Sequence, residues 1–278
     1  MIQDHFCERL THPTDLDPSS EHAFQHALAI ALACEGHLRL VHVDPDVARS
    51  ETGWQSFPGV RRTLAHWGLI GQDAEAADIA PSLGLRVSKH ALGAMEPIGA
   101  LEKFLEDHAT DLVVFGLHHR EGLDRLLHAS VPAPLARRVR IPALFVPGDG
   151  RGFIDRRTGA AHLRNVLIPV DQFPDATKAI QRALALSQLL KEDTRFHLLH
   201  VGAAVPAAVQ TFTDDARIRI IHGQGPVVET IIETAHSIGA DLIVMATEGR
   251  DGVFDVFRGS TTEQVLRQAK RAVLAIPA

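Results

Sequence analysis

The side chains whose type and spacing could do chemistry lie mostly in the second half of the chain. Asp171 follows a short β-rich run, NVLIPV (165–170). Its carboxylate is an acceptor-only group, suited to an amino donor on a base edge or to a ribose hydroxyl. Residues 246–261, ATEGRDGVFDVFRGST, leave the apolar run DLIVM and enter a stretch of helical character. Gly249 and Gly259 are small enough to let backbone N–H groups approach phosphate oxygens. Ser260, Thr261 and Thr262 add three consecutive hydroxyls where a helix N-terminus would favour an anion. The same residues have a plainer explanation. Ser260 and Glu263 form S-x-x-E, a capping box that needs no ligand, while Gly249 suits an ordinary turn and Asp171 the start of a loop.

Other chemistries lack their residues. There is no H-E-x-x-H or paired Cys/His spacing among the 17 histidines, so no metal is assigned. No Walker loop, nucleophile elbow or S-G-G-x-D-S loop occurs, and no catalytic constellation is expected. Cys7 and Cys34 read as reduced thiols of a cytoplasmic protein. The net charge of −6 argues against nucleic acid. The densest basic cluster, ARRVR (136–140), falls late in a helical stretch, where cations offset the dipole. The longest apolar run, ALAIALAC (27–34), is far short of the roughly 20 residues that cross a bilayer. MIQDHFCERL has no basic region followed by an apolar one, so neither a signal peptide nor a membrane is expected.

The elements that must position these residues come from an internal repeat. ATDLVVFGLHHREGLDRLLHAS (109–130) aligns with GADLIVMATEGRDGVFDVFRGS (239–260), and IPALFVP (141–147) with RAVLAIP (271–277), at an offset of 130. HPTDLDPSSEHAFQHALAIA (12–31) aligns with IPVDQFPDATKAIQRALALS (168–187) at 156, and RLVHV (39–43) with HLLHV (197–201) at 158. The fall from 158 to 130 means that the first copy carries 28 extra residues, within about 44–90. Each copy alternates short apolar runs with amphipathic segments. Right-handed crossovers then imply an α/β fold: two tandem doubly wound domains, each a five-stranded parallel sheet with helices on both faces. Only residues 203–216 separate strands two and three of the second copy, so that crossover must be shortened, whereas VRRTLAHWGLI (60–70) offers the first a full helix. Ser19 or Ser20 is expected to cap the helix through Cys34. The division is 1–147, a linker with a small hairpin arm over 148–164, and 165–278. Ligands of such sheets bind beyond the carboxyl ends of the strands, where the strand order reverses. That brings Asp15 or Asp171, Val43 or Val201, and the loop after strand four together.

With this organisation the repeat resembles the universal stress protein family in its tandem form, over nearly the whole chain outside the linker and residues 44–90. The resemblance implies the fold of the adenine nucleotide alpha hydrolases and, in the family's nucleotide-binding branch, a loop G-x2-G-x9-G-[ST] after strand four. The second copy matches as Ala246-x2-Gly249-x9-Gly259-Ser260, with alanine for the first glycine. By this resemblance Pro169, Val170, Asp171, Val201 and Met245 would line an adenine and ribose pocket. Ala246, Gly249, Arg250, Gly259, Ser260 and Thr261 would hold the phosphates of ATP or another adenine nucleotide, with or without Mg²⁺. The first copy reads Gly116-x2-His119-x9-Ala129-Ser130, followed by Pro132 and Pro134, which lack N–H donors. Two lost glycines cost roughly 1–3 kcal/mol each where positive φ or close approach is needed. A micromolar site amounts to only about 8 kcal/mol. Asp15, Val43, Gly116, His119 and Ser130 therefore form a degenerate first site. His119 is either a contact replacing glycine or a solvent-facing loop residue. The family resemblance further implies pairing of the two copies through their last strands, a stress-regulatory role with an unidentified protein partner, and a homodimer as an option. Slow ATP hydrolysis is the most catalysis it suggests. A nucleotide-independent interaction scaffold is the alternative function.

Overall fold

A computed structural model describes residues 7–46, 54, 59–117, 141–148, 150–202, 206–212, 214–248 and 261–278. In the first copy the strands are β1 (Arg9–Pro13), β2 (His37–Val43), β3 (Arg86–Leu92), β4 (Leu112–Leu117) and β5 (Ala143–Pro147). The helices among them are α1 (Glu21–Ala33), α2 (Val60–His66), α3 (Ile79–Leu83) and α4 (Pro97–Asp107). The second copy has β6 (Asn165–Pro169), β7 (Arg195–Val201), β8 (Ile218–Gly223), β9 (Leu242–Thr247) and β10 (Ala272–Pro277). Its helices are α5 (Thr177–Leu189), α6 (Ala207–Gln210), α7 (Val227–Ser237) and α8 (Thr261–Gln268).

All ten strands form one sheet in the order β3-β2-β1-β4-β5-β10-β9-β6-β7-β8. Pairing within each copy is parallel, and the copies join by antiparallel pairing of β5 with β10, at Phe145–Val273, Leu144–Leu274 and Ala143–Ala275. The central strands are apolar throughout because helices cover both faces. One cluster gathers Leu28, Leu64, Ile180 and Leu186 from α1, α2 and α5. The other gathers Leu101, Phe104, Ile231 and Val265 from α4, α7 and α8.

The crossovers follow the residue count. In the second copy α6 is four residues long. In the first, α2 stops at the cap Trp67, short of residue 70, because Gly68 takes positive φ (+74°) and ends the turn. Ser20 does occupy the position before α1, but it does not cap. Residues 18–20 form a 3₁₀ turn that leaves Ser20 at φ −82°, ψ 0°, outside the extended geometry a cap requires. Its hydroxyl donates instead to the Asp17 carbonyl at 2.7 Å. In the linker, residues 153–162 fold back through an antiparallel bridge between Ile154 and Ala161. This arm lies on the first copy. Trp67 Nε1 donates to the Arg156 carbonyl (3.2 Å), and the His26 ring packs edge-on against Phe153. The basic cluster 136–140 lies outside the described residues. No helix among the described residues is long and apolar enough to cross a membrane.

Candidate functional site: two crevices at the strand switch points

Strand order reverses between β1 and β4 in the first copy and between β6 and β9 in the second. At both places the strands are pinned at their amino ends and part at their carboxyl ends. Asp241 Oδ2 accepts the N–H groups of Arg164 (2.9 Å) and Asn165 (3.0 Å). Its repeat mate Asp111 accepts the Arg9 N–H (2.9 Å) and its guanidinium. Beyond these pins β6 meets β9 only at Val166–Leu242 and Leu167–Ile243, whereas β6 and β7 stay paired as far as Pro169–Leu199. β1 and β4 part after the equivalent two pairs, Leu10–Leu112 and Thr11–Val113. Each copy thus opens a crevice on the side where parallel sheets bind ligands.

At the second crevice Pro169 is half-buried, Val170 is buried and Asp171 is exposed. The Asp171 Oδ1 accepts the adjacent Gln172 N–H at 2.7 Å. Val201 is half-buried at the end of β7. Alternation along β9 sends neighbouring side chains to opposite faces. Met245 is buried in the cluster under α7 and α8, while half-buried Ala246 packs against the other cluster. Thr261 is exposed at the start of α8. Gly249, Arg250, Gly259 and Ser260 lie outside the described residues, as does the serine of the expected capping box. The glutamate of that box, Glu263, forms an i,i+4 ion pair with Arg267 at 3.0 Å.

A cavity of about 330 Å³ opens at Asp171. Its walls are the loop 171–175, the first residues of α5, and Pro206 and Val209 of the short crossover. Val201, Met245 and Ala246 do not line it. Two carboxylates do, Asp171 and Asp175, so this cavity favours donor groups over phosphates. Asp175 is already committed. Hydrogen bonds from the Thr177 side chain and N–H (2.7 Å to the latter) hold its carboxyl below the ordinary range.

Two features of this region escaped the sequence reading. Phe173 lines the same cavity with 82% of its surface exposed, an unusual placement for a large aromatic ring and a ready face for a planar ligand. His200, buried on β7, uses Nδ1 to donate to the Val170 carbonyl (3.1 Å), just before Asp171. The first copy repeats the clamp: His42 Nδ1 donates to the Thr14 carbonyl (2.7 Å), just before Asp15. The signal was a histidine one residue from the end of both second strands, offset by 158.

In the first crevice Asp15 is exposed and its Oδ1 accepts the Asp17 N–H at 3.1 Å. Val43 and Gly116 are half-buried at the ends of β2 and β4. His119, Ala129, Ser130, Pro132 and Pro134 lie outside the described residues. Where the strands part, the first copy places His12, fully buried, with Nδ1 donating to the Val114 carbonyl at 2.8 Å. The second copy has Ile168 at this point. Among the described residues no group of three or more His, Cys, Asp or Glu is clustered to hold a metal ion.

The fold is similar over 98% of the chain to that of a universal stress protein from Archaeoglobus fulgidus DSM 4304, with 15% identity, 97% of that chain covered and a TM-score of 0.63. A functionally unknown protein from Pseudomonas aeruginosa PAO1 gives 17% identity, 98% and 93% coverage and 0.63. A further protein, from Pseudomonas aeruginosa UCBPP-PA14, gives 18%, 98%, 94% and 0.59. No curated protein matches the chain in sequence. With the family's sequence model matching residues 8–147 and 203–277, more than half of the length, the chain belongs to the universal stress protein family.

Proposed function

We propose that this protein binds ATP or another adenine nucleotide in the crevice of its second copy, residues 165–278, and acts as a regulator in the stress response. The observation that carries the reading is the parting of β6 from β9 beyond Leu167, with the exposed Asp171 two residues past the end of β6. An acceptor-only carboxylate suits the base or ribose, and the exposed Phe173 ring gives a planar base a surface to stack on. Phosphates would lie away from the two carboxylates, towards the small-residue loop Ala246-x2-Gly249-x9-Gly259-Ser260 that follows β9. There N–H groups and hydroxyls would hold them, and a nucleotide-bound Mg²⁺ would offset part of their charge. No residue is assigned a catalytic role.

The first copy serves mainly as the structural partner. Its loop lacks two of the three glycines, and the imidazole of His12 bridges its strands where they part.

ATP at a hundredfold over its Kd adds about 2.7 kcal/mol to folded-state stability, a rise of a few degrees in melting temperature. The rise should disappear in Gly259→Trp. Absence of any rise at millimolar ATP, together with no nucleotide released from denatured protein, would overturn the proposal. The second reading is a nucleotide-independent interaction scaffold, favoured by alanine at position 246. It predicts partners in pull-downs that ignore both nucleotide and Gly259→Trp.

A further inference from the structure

The 28 residues that distinguish the first copy fall in the connection between β2 and β3. Between β2 and β3 the chain forms α2 and α3 against β3, which is the edge strand of the sheet. Beneath them lies a cleft of about 880 Å³, a size that accommodates a small organic ligand. Arg61 and Arg62 from α2 and Arg86 and Lys89 from β3 line it, and among the described residues no carboxylate does, in a chain of net charge −6. The remaining wall is largely apolar, with Trp54, Ile79 and Leu85. Leu85, Val87 and Lys89 alternate onto one face of the strand, so apolar and cationic groups meet on the same wall. Lys89 Nζ donates to the Trp54 carbonyl (2.9 Å) and sits 5.3 Å from the centre of its ring, which holds the ammonium at the cleft. His37, also in the lining, is kept neutral. Burial, then Arg39 and Arg86, push its pKa down to about 4.

We propose that this cleft is a second ligand site, specific for an organic anion with an aromatic or aliphatic body. Guanidinium and ammonium groups supply charge-assisted hydrogen bonds to the acidic head, and the Trp54, Ile79 and Leu85 wall takes the body. An inorganic anion would use only half of this lining. Among the described residues the crossover of the second copy at this place is the four-residue α6, in place of α2 and α3. The site is remote in sequence from the nucleotide crevice and does not depend on it.

The test uses the full chain and 8-anilinonaphthalene-1-sulfonate, titrated by fluorescence. The probe should bind, and N-phenyl-1-naphthylamine, the same rings without the sulfonate, should bind about tenfold more weakly or worse. Arg86→Glu with Lys89→Glu, both exposed positions, should weaken the sulfonate at least about tenfold at an unchanged melting temperature. Ala77→Trp, which fills the cleft and leaves its charges, should abolish binding. Millimolar inorganic phosphate, which has no body for the apolar wall, should not displace the probe. Absence of sulfonate binding, equal binding of the neutral rings, indifference to charge reversal or to Ala77→Trp, or displacement by inorganic phosphate would each overturn the proposal. The ATP-induced melting shift is read separately and should persist in all three substitutions.

Discussion

The two crevices are built on one plan and differ at their base. Each is pinned at its amino end by an aspartate, Asp111 or Asp241, and opens after two residue pairs. Each has a histidine, His42 or His200, holding the carbonyl that precedes an exposed aspartate. Where the strands part, however, the first places an imidazole across the gap and the second an isoleucine. The framework that makes an opening has been retained in both copies, while the groups that would use the opening differ. A duplicated fold can thus keep the geometry of an opening while the side chains at its base diverge.

The largest expected difference between the copies appears on acidification. His26 on α1 is completely buried, with Nδ1 donating to the His22 carbonyl (2.8 Å). Its Nε2 accepts the N–H groups of Phe153 (3.0 Å) and Ile154 (3.3 Å), which docks the linker arm on the first copy. Burial, chiefly, pushes its pKa down to about 3. Above the unfolded value of about 6.5 its contribution is complete. As pH falls below that, the unfolded chain takes up a proton that the folded chain refuses, and stability drops until about pH 3. The total is on the order of 4 kcal/mol. The second copy carries Arg182 at this position, a group that stays charged throughout this range. His26→Gln should flatten the decline in urea midpoint between pH 6.5 and 4 by about one proton. An unchanged slope would place the acid sensitivity elsewhere.

Exchanging the base of the crevices comes next. Ile168 is fully buried, so Ile168→His removes apolar packing and buries a polar ring, at a cost of about 2–4 kcal/mol. His12→Ile should cost less, about 1–2 kcal/mol, because the Val114 carbonyl loses its donor while apolar burial is gained. Urea denaturation of both variants checks the order, and equal costs would mean that the two crevices are not different at their base.

The histidine clamps separate folding from binding. His42→Phe and His200→Phe each leave a carbonyl without its imidazole donor and should each destabilise by about 1–3 kcal/mol. Only His200→Phe should also weaken ATP binding, since only that clamp holds the carbonyl before an aspartate of the crevice proposed to take the nucleotide. Calorimetric titration of the two variants distinguishes them. Loss of ATP binding in His42→Phe would return the nucleotide to the first copy.

Much of this architecture was legible in residue patterns. The offsets of 130 and 156–158 indicated two copies of one parallel arrangement, which join in a single ten-stranded sheet. The family resemblance implied a seam between the last strands of the two copies, which the β5–β10 pairing realises. Asp171 could be placed from its position after an apolar run, and Asp15 from its alignment with Asp171 at the offset of 156. What could not be read depended on partners distant in the chain or on small rotations of backbone. His200 meets Val170 thirty residues away, and His26 meets Phe153 across 127. Neither separation leaves a periodicity. Ser20 has the right residue type for a cap but the wrong dihedrals, set by the 3₁₀ turn before it. Phe173 stands in no pattern of the sequence, and only its exposure beside Asp171 marks it.

The smallest expected effect is the most direct test of the contrast. Asp15 and Asp171 are both exposed and both hydrogen-bond to a nearby backbone N–H of their own loop. Replacing either by alanine should therefore leave the melting temperature of the free protein within about 1 °C, as expected for surface positions. Their effects on nucleotide should diverge. A hydrogen bond to a charged group contributes about 1.5 kcal/mol or more, so Asp171→Ala should raise the Kd for ATP about tenfold. Asp15→Ala should not change it, because its crevice is bridged by His12 and followed by a loop without its glycines. Equal weakening by both substitutions would show two working sites. Indifference to Asp171→Ala would move the base and ribose away from this carboxylate, and Phe173→Ala, read in the same titration, would then locate the planar contact.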